Sequence, residues 1–69
     1  MLTVGQKIKE LREARGWTQL ELSLQADKAQ SAIWTFESGK YYPKLPDLQR
    51  ICDAFGMTIS EFMEGVEII

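Results

Sequence analysis

Apolar residues recur every three or four positions along most of this chain, in short stretches broken by glycine, proline and small polar residues. Val4, Ile8, Leu11 and the stem of Arg15 form one such stripe. It is the face an amphipathic helix buries, and it predicts a first helix over about 4–15 that ends at Gly16. Leu22 and Ala26, with the small Ser23 beside them, predict a second helix over about 19–26. Ile33 and Phe36 predict a third over 30–38, stopped by Gly39. Leu48, Ile51, Cys52 and Phe55 stand at i, i+3, i+4 and i+7, giving a fourth helix over 45–55 with Pro46 in its first turn and Gly56 beyond its end. Ile59, Phe62 and Met63 suggest a fifth over 59–64. Strand-like alternation of useful length is missing. The expected fold is therefore all-α, a compact bundle of five short helices with mostly local contacts and fast folding.

The punctuation supports these boundaries. Thr3-x-x-Gln6, Thr18-x-x-Glu21 and Thr58-x-x-Glu61 each match a capping box, in which the threonine oxygen accepts an orphan amide and the Glu or Gln side chain reaches back. Each cap contributes about 1 kcal/mol, and each stands directly before a helical pattern.

Sixty-nine residues suggest one domain over 1–69, with its core in 4–63 and a short apolar tail at 65–69. The lone Cys52 has no disulfide partner and the chain has no histidine, so a disulfide framework and a Cys/His metal cluster are both excluded. A nucleophile paired with a histidine base, and a glycine-rich phosphate loop, are missing too. Enzymatic function and a cofactor are not expected. Met1, Leu2, Thr3 and Val4 give way at once to polar residues, which fits neither a signal peptide nor a membrane span, so a cytoplasmic location is expected.

The net charge of −2 opposes nonspecific attraction to nucleic acid. Its distribution matters more than its sum. Glu61, Glu64 and Glu67 lie in the last 13 residues, which hold no base, so residues 1–56 carry eight bases against seven acids. A surface that faces phosphate belongs in that first part.

Only Asp27, Lys28 and Ala29 separate the second and third helices, a spacing suited to two helices crossing steeply with the second free to project. With that turn come Gly16-Trp17-Thr18-Gln19-x-Glu21-Leu22, Gln30-x-x-Ile33-x-x-Phe36-Glu37-x-Gly39-Lys40, Pro43-x-Leu45-x-x-Leu48-x-x-Ile51-Cys52 and Phe55-Gly56-Met57-Thr58-Ile59-x-Glu61-Phe62. Over about residues 4–63 this extended pattern resembles the phage-repressor and Cro type of helix-turn-helix domain, the Xre family, in which helices 2 and 3 form the helix-turn-helix of a lambda-repressor-like bundle. The resemblance implies a cytoplasmic regulator of bacterial or phage origin. Its expected partner is double-stranded DNA, bound with helix 3 in the major groove; repression is the expected outcome.

Carried over by position, the resemblance implies that Gln19 touches a phosphate and that Gln30 reads a base, with Ser31, Trp34 and Thr35 on the same outward face. Glutamine suits this place because it can pair bidentately with adenine while the helix end offers amides to phosphate. Lys40, Tyr41 and Lys44 lie in the loop that the family lays along the DNA backbone, where their donors would set register without specifying sequence. One of Tyr41 and Tyr42 is expected to pack against the fold. Glu37 matches a family acid that pairs with Arg12 on helix 1, so the two are expected to form a structural ion pair.

The chain departs from the pattern in its turn. Asp27 replaces the usual glycine, Lys28 a usually apolar residue, and Ala29 the usual serine or threonine cap. Aspartate tolerates a left-handed conformation less well than glycine, and alanine caps weakly. Lys28 adds a charge that would compensate by meeting a phosphate. Trp34 should face away from the core, toward a thymine methyl or deoxyribose or, more naturally, packed on Tyr41 or Tyr42. Family and operator symmetry imply a homodimer on a palindromic site. Its interface is expected in Met57, Ile59, Met63, Val66, Ile68 and Ile69, unless the tail folds back on its own core. The rival function is a protein-binding module on the same fold, antitoxin-like or bridging, with Trp34, Leu20 and Leu24 as its surface.

Overall fold

The computed structural model describes residues 2–66. Within them lie five helices, α1 (Val4–Ala14), α2 (Gln19–Ala26), α3 (Gln30–Glu37), α4 (Leu45–Phe55) and α5 (Ile59–Met63). No strand accompanies them among the described residues. The three capping boxes form as the sequence predicts. Thr18 Oγ1 accepts from the Glu21 amide at 3.1 Å while Glu21 Oε1 accepts from the Thr18 amide at 3.1 Å. Thr3 with Gln6 and Thr58 with Glu61 repeat the arrangement. Helices α1, α3 and α5 each end one residue before the predicted position. Arg15, Ser38 and Glu64 are their caps rather than their last turns.

Ile8, Leu22, Ile33, Ile51, Cys52 and Phe62 are completely buried, with Ala26, Phe36 and Phe55 nearly so. One residue set from every helix thus meets in a single core, where α3 lies against α1 and α2, and α4 against α1, α2 and α5. The Cys52 thiol is part of this core, and desolvation pushes its pKa up, which keeps it unreactive.

Two contacts that the periodic pattern did not indicate join distant parts of the chain. Gly5, buried in the first turn of α1, lies so close to α3 that a side-chain carbon there would collide with the Phe36 carbonyl oxygen. Arg15, counted in sequence as the end of an apolar stripe, donates to the Phe55 carbonyl at 2.6 Å and stacks over the Phe55 ring at 4.7 Å. It therefore places a positive charge at the C-terminus of α4, where the helix dipole favours one. Trp17 stacks on the same ring, with centroids 5.9 Å apart.

The chain start is tied to the turn after α5. The Leu2 amide donates to the Gly65 carbonyl at 3.1 Å, Leu2 and Val66 form an isolated parallel bridge, and Lys7 Nζ reaches the Glu64 carbonyl at 3.3 Å. Val66 is consequently buried, which corrects its expected place on a dimer surface; its methyls already have a home in this protomer. Ile68 and Ile69, assigned to the same surface, lie outside the described residues. Met57, Ile59 and Met63 are half-buried and pack against the core.

Candidate nucleic-acid interface

The turn between α2 and α3 forms despite its unusual residues. Asp27 takes the left-handed conformation (φ 53°, ψ 46°) that the pattern assigns to glycine. The amides of Asp27 and Lys28 both return to the Ser23 carbonyl and close the end of α2. Ala29 then adopts the extended geometry of an N-cap but offers no side-chain acceptor. The first amides of α3 accordingly lack the local side-chain partner that Thr18 gives α2.

Helix α3 buries Ile33 and Phe36 and turns Gln30, Ser31 and Trp34 outward, all three exposed. These positions, i, i+1 and i+4, share one face of a helix. Thr35 is half-buried at the edge of that face, and its hydroxyl donates to the Ser31 carbonyl at 2.8 Å, leaving its methyl and its lone pairs for a partner. Trp34 corrects the packing expectation. It is 56% exposed and borders a cleft with Lys9, Arg12, Gln19, Glu37 and Ser38, on the side of α3 toward α1 and α2. Tyr41 and Tyr42 border a different groove, beside Ser31, Thr35 and Lys44. Both tyrosines are exposed, so neither packs into the fold; Ile33 and Phe36 already fill the core there.

Behind the cleft lies an ion pair. Glu37 Oε2 accepts from Arg12 Nε at 2.7 Å and Glu37 Oε1 from the second guanidinium arm at 3.0 Å, with side chains only 4% and 11% exposed. The third arm of Arg12 donates to the Trp17 carbonyl at 2.7 Å. The hydrogen bond to Glu37 raises the guanidinium pKa still further against the opposing effect of burial, so Arg12 stays charged despite its covering. Gln19 joins it, for its Nε2 donates to Glu37 Oε1 at 3.2 Å. Arg12 thereby neutralises the acid where it borders the cleft. The Gln19 to Glu37 bond escaped the sequence reading, which treated the two residues separately; no local spacing links positions 18 residues apart.

Lys40 is exposed in the loop after α3, and Lys44 is exposed at the N-cap of α4. Lys28 differs. Its Nζ is held by Asp47 Oδ1 at 2.9 Å, with both side chains about three-quarters covered. The charge expected to meet phosphate thus joins the turn to Asp47, in the first turn of α4. Leu20 and Leu24 are exposed on α2, at 50% and 72%. Among the described residues no helix is long and apolar enough to cross a membrane.

The chain matches the model of a family described as a helix-turn-helix domain over residues 5–68. It is 38% identical over 65 residues to the HTH-type transcriptional activator BcrR of Enterococcus faecalis, a match covering 94% of this chain and 32% of that protein. It is 36% identical over 59 residues to an immunity repressor protein of Bacillus phage phi105, covering 86% of this chain and 41% of that one. The chain thus spans 32% and 41% of the length of these two curated relatives. In three dimensions it is similar to the restriction-modification controller protein C.AhdI from Aeromonas hydrophila, with a TM-score of 0.81 and 25% identity over 86% of this chain and 89% of that one. With this structural likeness and a family match across nearly its whole length, the chain belongs to the phage-repressor and Cro type of helix-turn-helix domains, the Xre family of DNA-binding transcriptional regulators.

Proposed function

We propose that this domain regulates transcription by reading a specific duplex DNA sequence with α3 in the major groove. The observation that carries the proposal is the exposed face made by Gln30, Ser31 and Trp34 at the start of a helix whose opposite face is core. Gln30 serves as the principal base reader, with Ser31, Trp34 and Thr35 beside it. An amide can pair bidentately with adenine, whereas tryptophan and the threonine methyl suit a thymine methyl. Gln19, Lys40, Tyr41 and Lys44 anchor phosphates and fix the register. Lys28 contributes to this surface only by leaving Asp47.

Two copies are proposed to bind a palindromic site, with half-sites one helical turn, about 34 Å, apart. The partly exposed Met57, Ile59 and Met63 are the residues proposed to join them. Repression is the proposed outcome; the matched module occurs in an activator as well as in a repressor, so the α3 face alone does not set the sign of regulation.

Random-site selection followed by a salt titration tests this reading. A symmetric motif should be enriched, and affinity for it should fall by about 10³ or more between 50 and 200 mM salt if six or more phosphates are contacted. Absence of any enriched motif, together with flat salt dependence, would sink the proposal and turn attention to Leu20, Leu24 and Trp34 as a protein-binding surface.

A further inference from the structure

Glu37 occupies an odd position for a residue whose only task is to hold α1 to α3. Its carboxylate borders the cleft that opens between α1, α2 and α3, and it accepts from Gln19 as well as from Arg12. A carboxylate only accepts, so it can meet only the amide-nitrogen end of Gln19, never the carbonyl end. One Nε2 hydrogen of Gln19 is thereby engaged, and the orientation of the whole planar amide is set. The second Nε2 hydrogen remains for a partner outside. Glu37 is itself immobile, held at two points by a guanidinium that is in turn held by the Trp17 carbonyl, directly before the cap of α2. The chain of contacts therefore runs from α1, through Glu37 at the last position of α3, to the first residue of α2.

We infer that Glu37 is a positioning residue for DNA binding, which holds the Gln19 amide in the one orientation that presents its free hydrogen to a backbone phosphate. The inference rests on the reading of this domain as a DNA binder and adds a function to a pair otherwise concerned with stability. Holding the amide before the complex forms lowers the ordering cost of the contact. With glutamine at position 37 the site would offer a donor and an acceptor, and Gln19 could sit either way round.

Simple electrostatics predicts the opposite sign, which makes the inference sharp. Glu37→Gln removes a negative charge near phosphate and frees Arg12, so a purely electrostatic or purely structural Glu37 would leave affinity unchanged or increased in any protein that remains folded. A positioning Glu37 predicts weaker binding, by roughly fivefold or more, and predicts that the loss vanishes when Gln19 is already gone.

The test is a double-mutant cycle with Glu37→Gln and Gln19→Ala, titrated against a duplex carrying the site enriched by random-site selection, below the melting range of every variant. A second cycle replaces Glu37→Gln by the Arg12→Met/Glu37→Met pair, which removes the acceptor without leaving an unpaired buried charge. Side-chain amide NMR of Gln19 in the free protein accompanies both. One Nε2 hydrogen shifted downfield and protected from solvent exchange by its bond to Glu37 is expected in the unmodified chain, and loss of that shift and protection in the Glu37 variants. Affinity losses confined to the background that retains Gln19 support the inference. Equal losses with and without Gln19, tighter binding by Glu37→Gln, or Gln19 resonances indifferent to position 37 overturn it while leaving the DNA reading intact. An unmodified chain that enriches no site overturns that reading, and the positioning function with it.

Discussion

Arg12 and Glu37, 25 positions apart, meet through two hydrogen bonds of 2.7 and 3.0 Å in a site almost closed to water. Such a pair gains little over a well-packed apolar pair, because two charges had to be desolvated to make it. Breaking it is another matter. Arg12→Ala leaves Glu37 buried without its counter-charge and should cost about 3–5 kcal/mol, read as a lowered midpoint in urea denaturation. Arg12→Met/Glu37→Met should recover most of that loss. A double variant as unstable as Arg12→Ala would mean that the pair contributes by its charge after all.

The close approach of α1 to α3 gives a second outcome. Gly5→Ala drives a methyl group into the Phe36 carbonyl, a backbone atom that cannot swing aside, and the helices must separate. A loss of about 1–3 kcal/mol is expected. Gly39→Ala is a control of different origin, since no atom lies near its side-chain position and only its φ of 79° is unfavourable. Its cost should be about 1–2 kcal/mol. Proton chemical shifts should move along α3 in the first variant and stay local in the second.

Features set by neighbours in sequence were legible before any coordinates. The capping boxes of Thr3, Thr18 and Thr58, the limits of α2 and α4, and the buried stripe of Ile51, Cys52 and Phe55 all follow from spacing and local hydrogen bonding. The Arg12 to Glu37 pair was legible only through resemblance to a family. What stayed hidden depends on which distant groups the fold brings together: Lys28 turned to Asp47, Arg15 to the Phe55 carbonyl, and Gln19 to Glu37. Gly5 left a faint signal, since glycine inside a helical pattern is unfavourable and suggests a close approach. Trp34 and one of the two tyrosines were expected to pack, as large aromatics usually do; all three are exposed, because Ile33 and Phe36 already fill the core behind them.

The weak cap before α3 can be improved. Ala29 has the backbone geometry of an N-cap without an acceptor, so Ala29→Ser should stabilise the domain by about 0.5–2 kcal/mol. For a domain of this size each kcal/mol raises the melting temperature by about 4–8 °C. If that melting temperature does not rise, the first amides of α3 gain nothing beyond the partners they have, such as the Ala29 carbonyl that accepts from the Ala32 amide at 3.0 Å. The same substitution places a hydroxyl at the end of the proposed reading helix, so its effect on DNA affinity should be measured separately.

Acid stability offers a further check. Hydrogen bonds from the Thr58 backbone, the larger cause, and from the Thr58 side chain lower the pKa of Glu61. Its ionised form is therefore favoured in the folded state. The stabilisation is present above the unfolded value, about 4.3, and is lost as pH falls through the lower folded value. Glu61→Gln can keep both bonds of the capping box but does not titrate. Its melting temperature should fall less steeply with acid below about pH 4.3 than that of the unmodified chain. Parallel acid limbs would show that the box gains nothing from the charge.

Separating base readers from phosphate anchors requires three substitutions on one surface. Gln30→Ala removes an amide that can recognise a single base edge, so it should relax preference at one position of the enriched site while leaving the salt dependence unchanged. Lys40→Ala removes an exposed cation from the loop after α3. It should weaken binding to all sequences alike and reduce the slope of log affinity against log salt by about 1. Lys28→Ala is the informative third variant. Because Asp47 already holds the ammonium at 2.9 Å, losing it should leave the salt slope almost unaltered and slightly destabilise the junction of the turn with α4. A slope reduced by Lys28→Ala as much as by Lys40→Ala would mean that Lys28 exchanges Asp47 for phosphate when DNA arrives. Asp47→Asn would then strengthen binding by releasing Lys28 beforehand, whereas a structural Lys28 predicts no such gain.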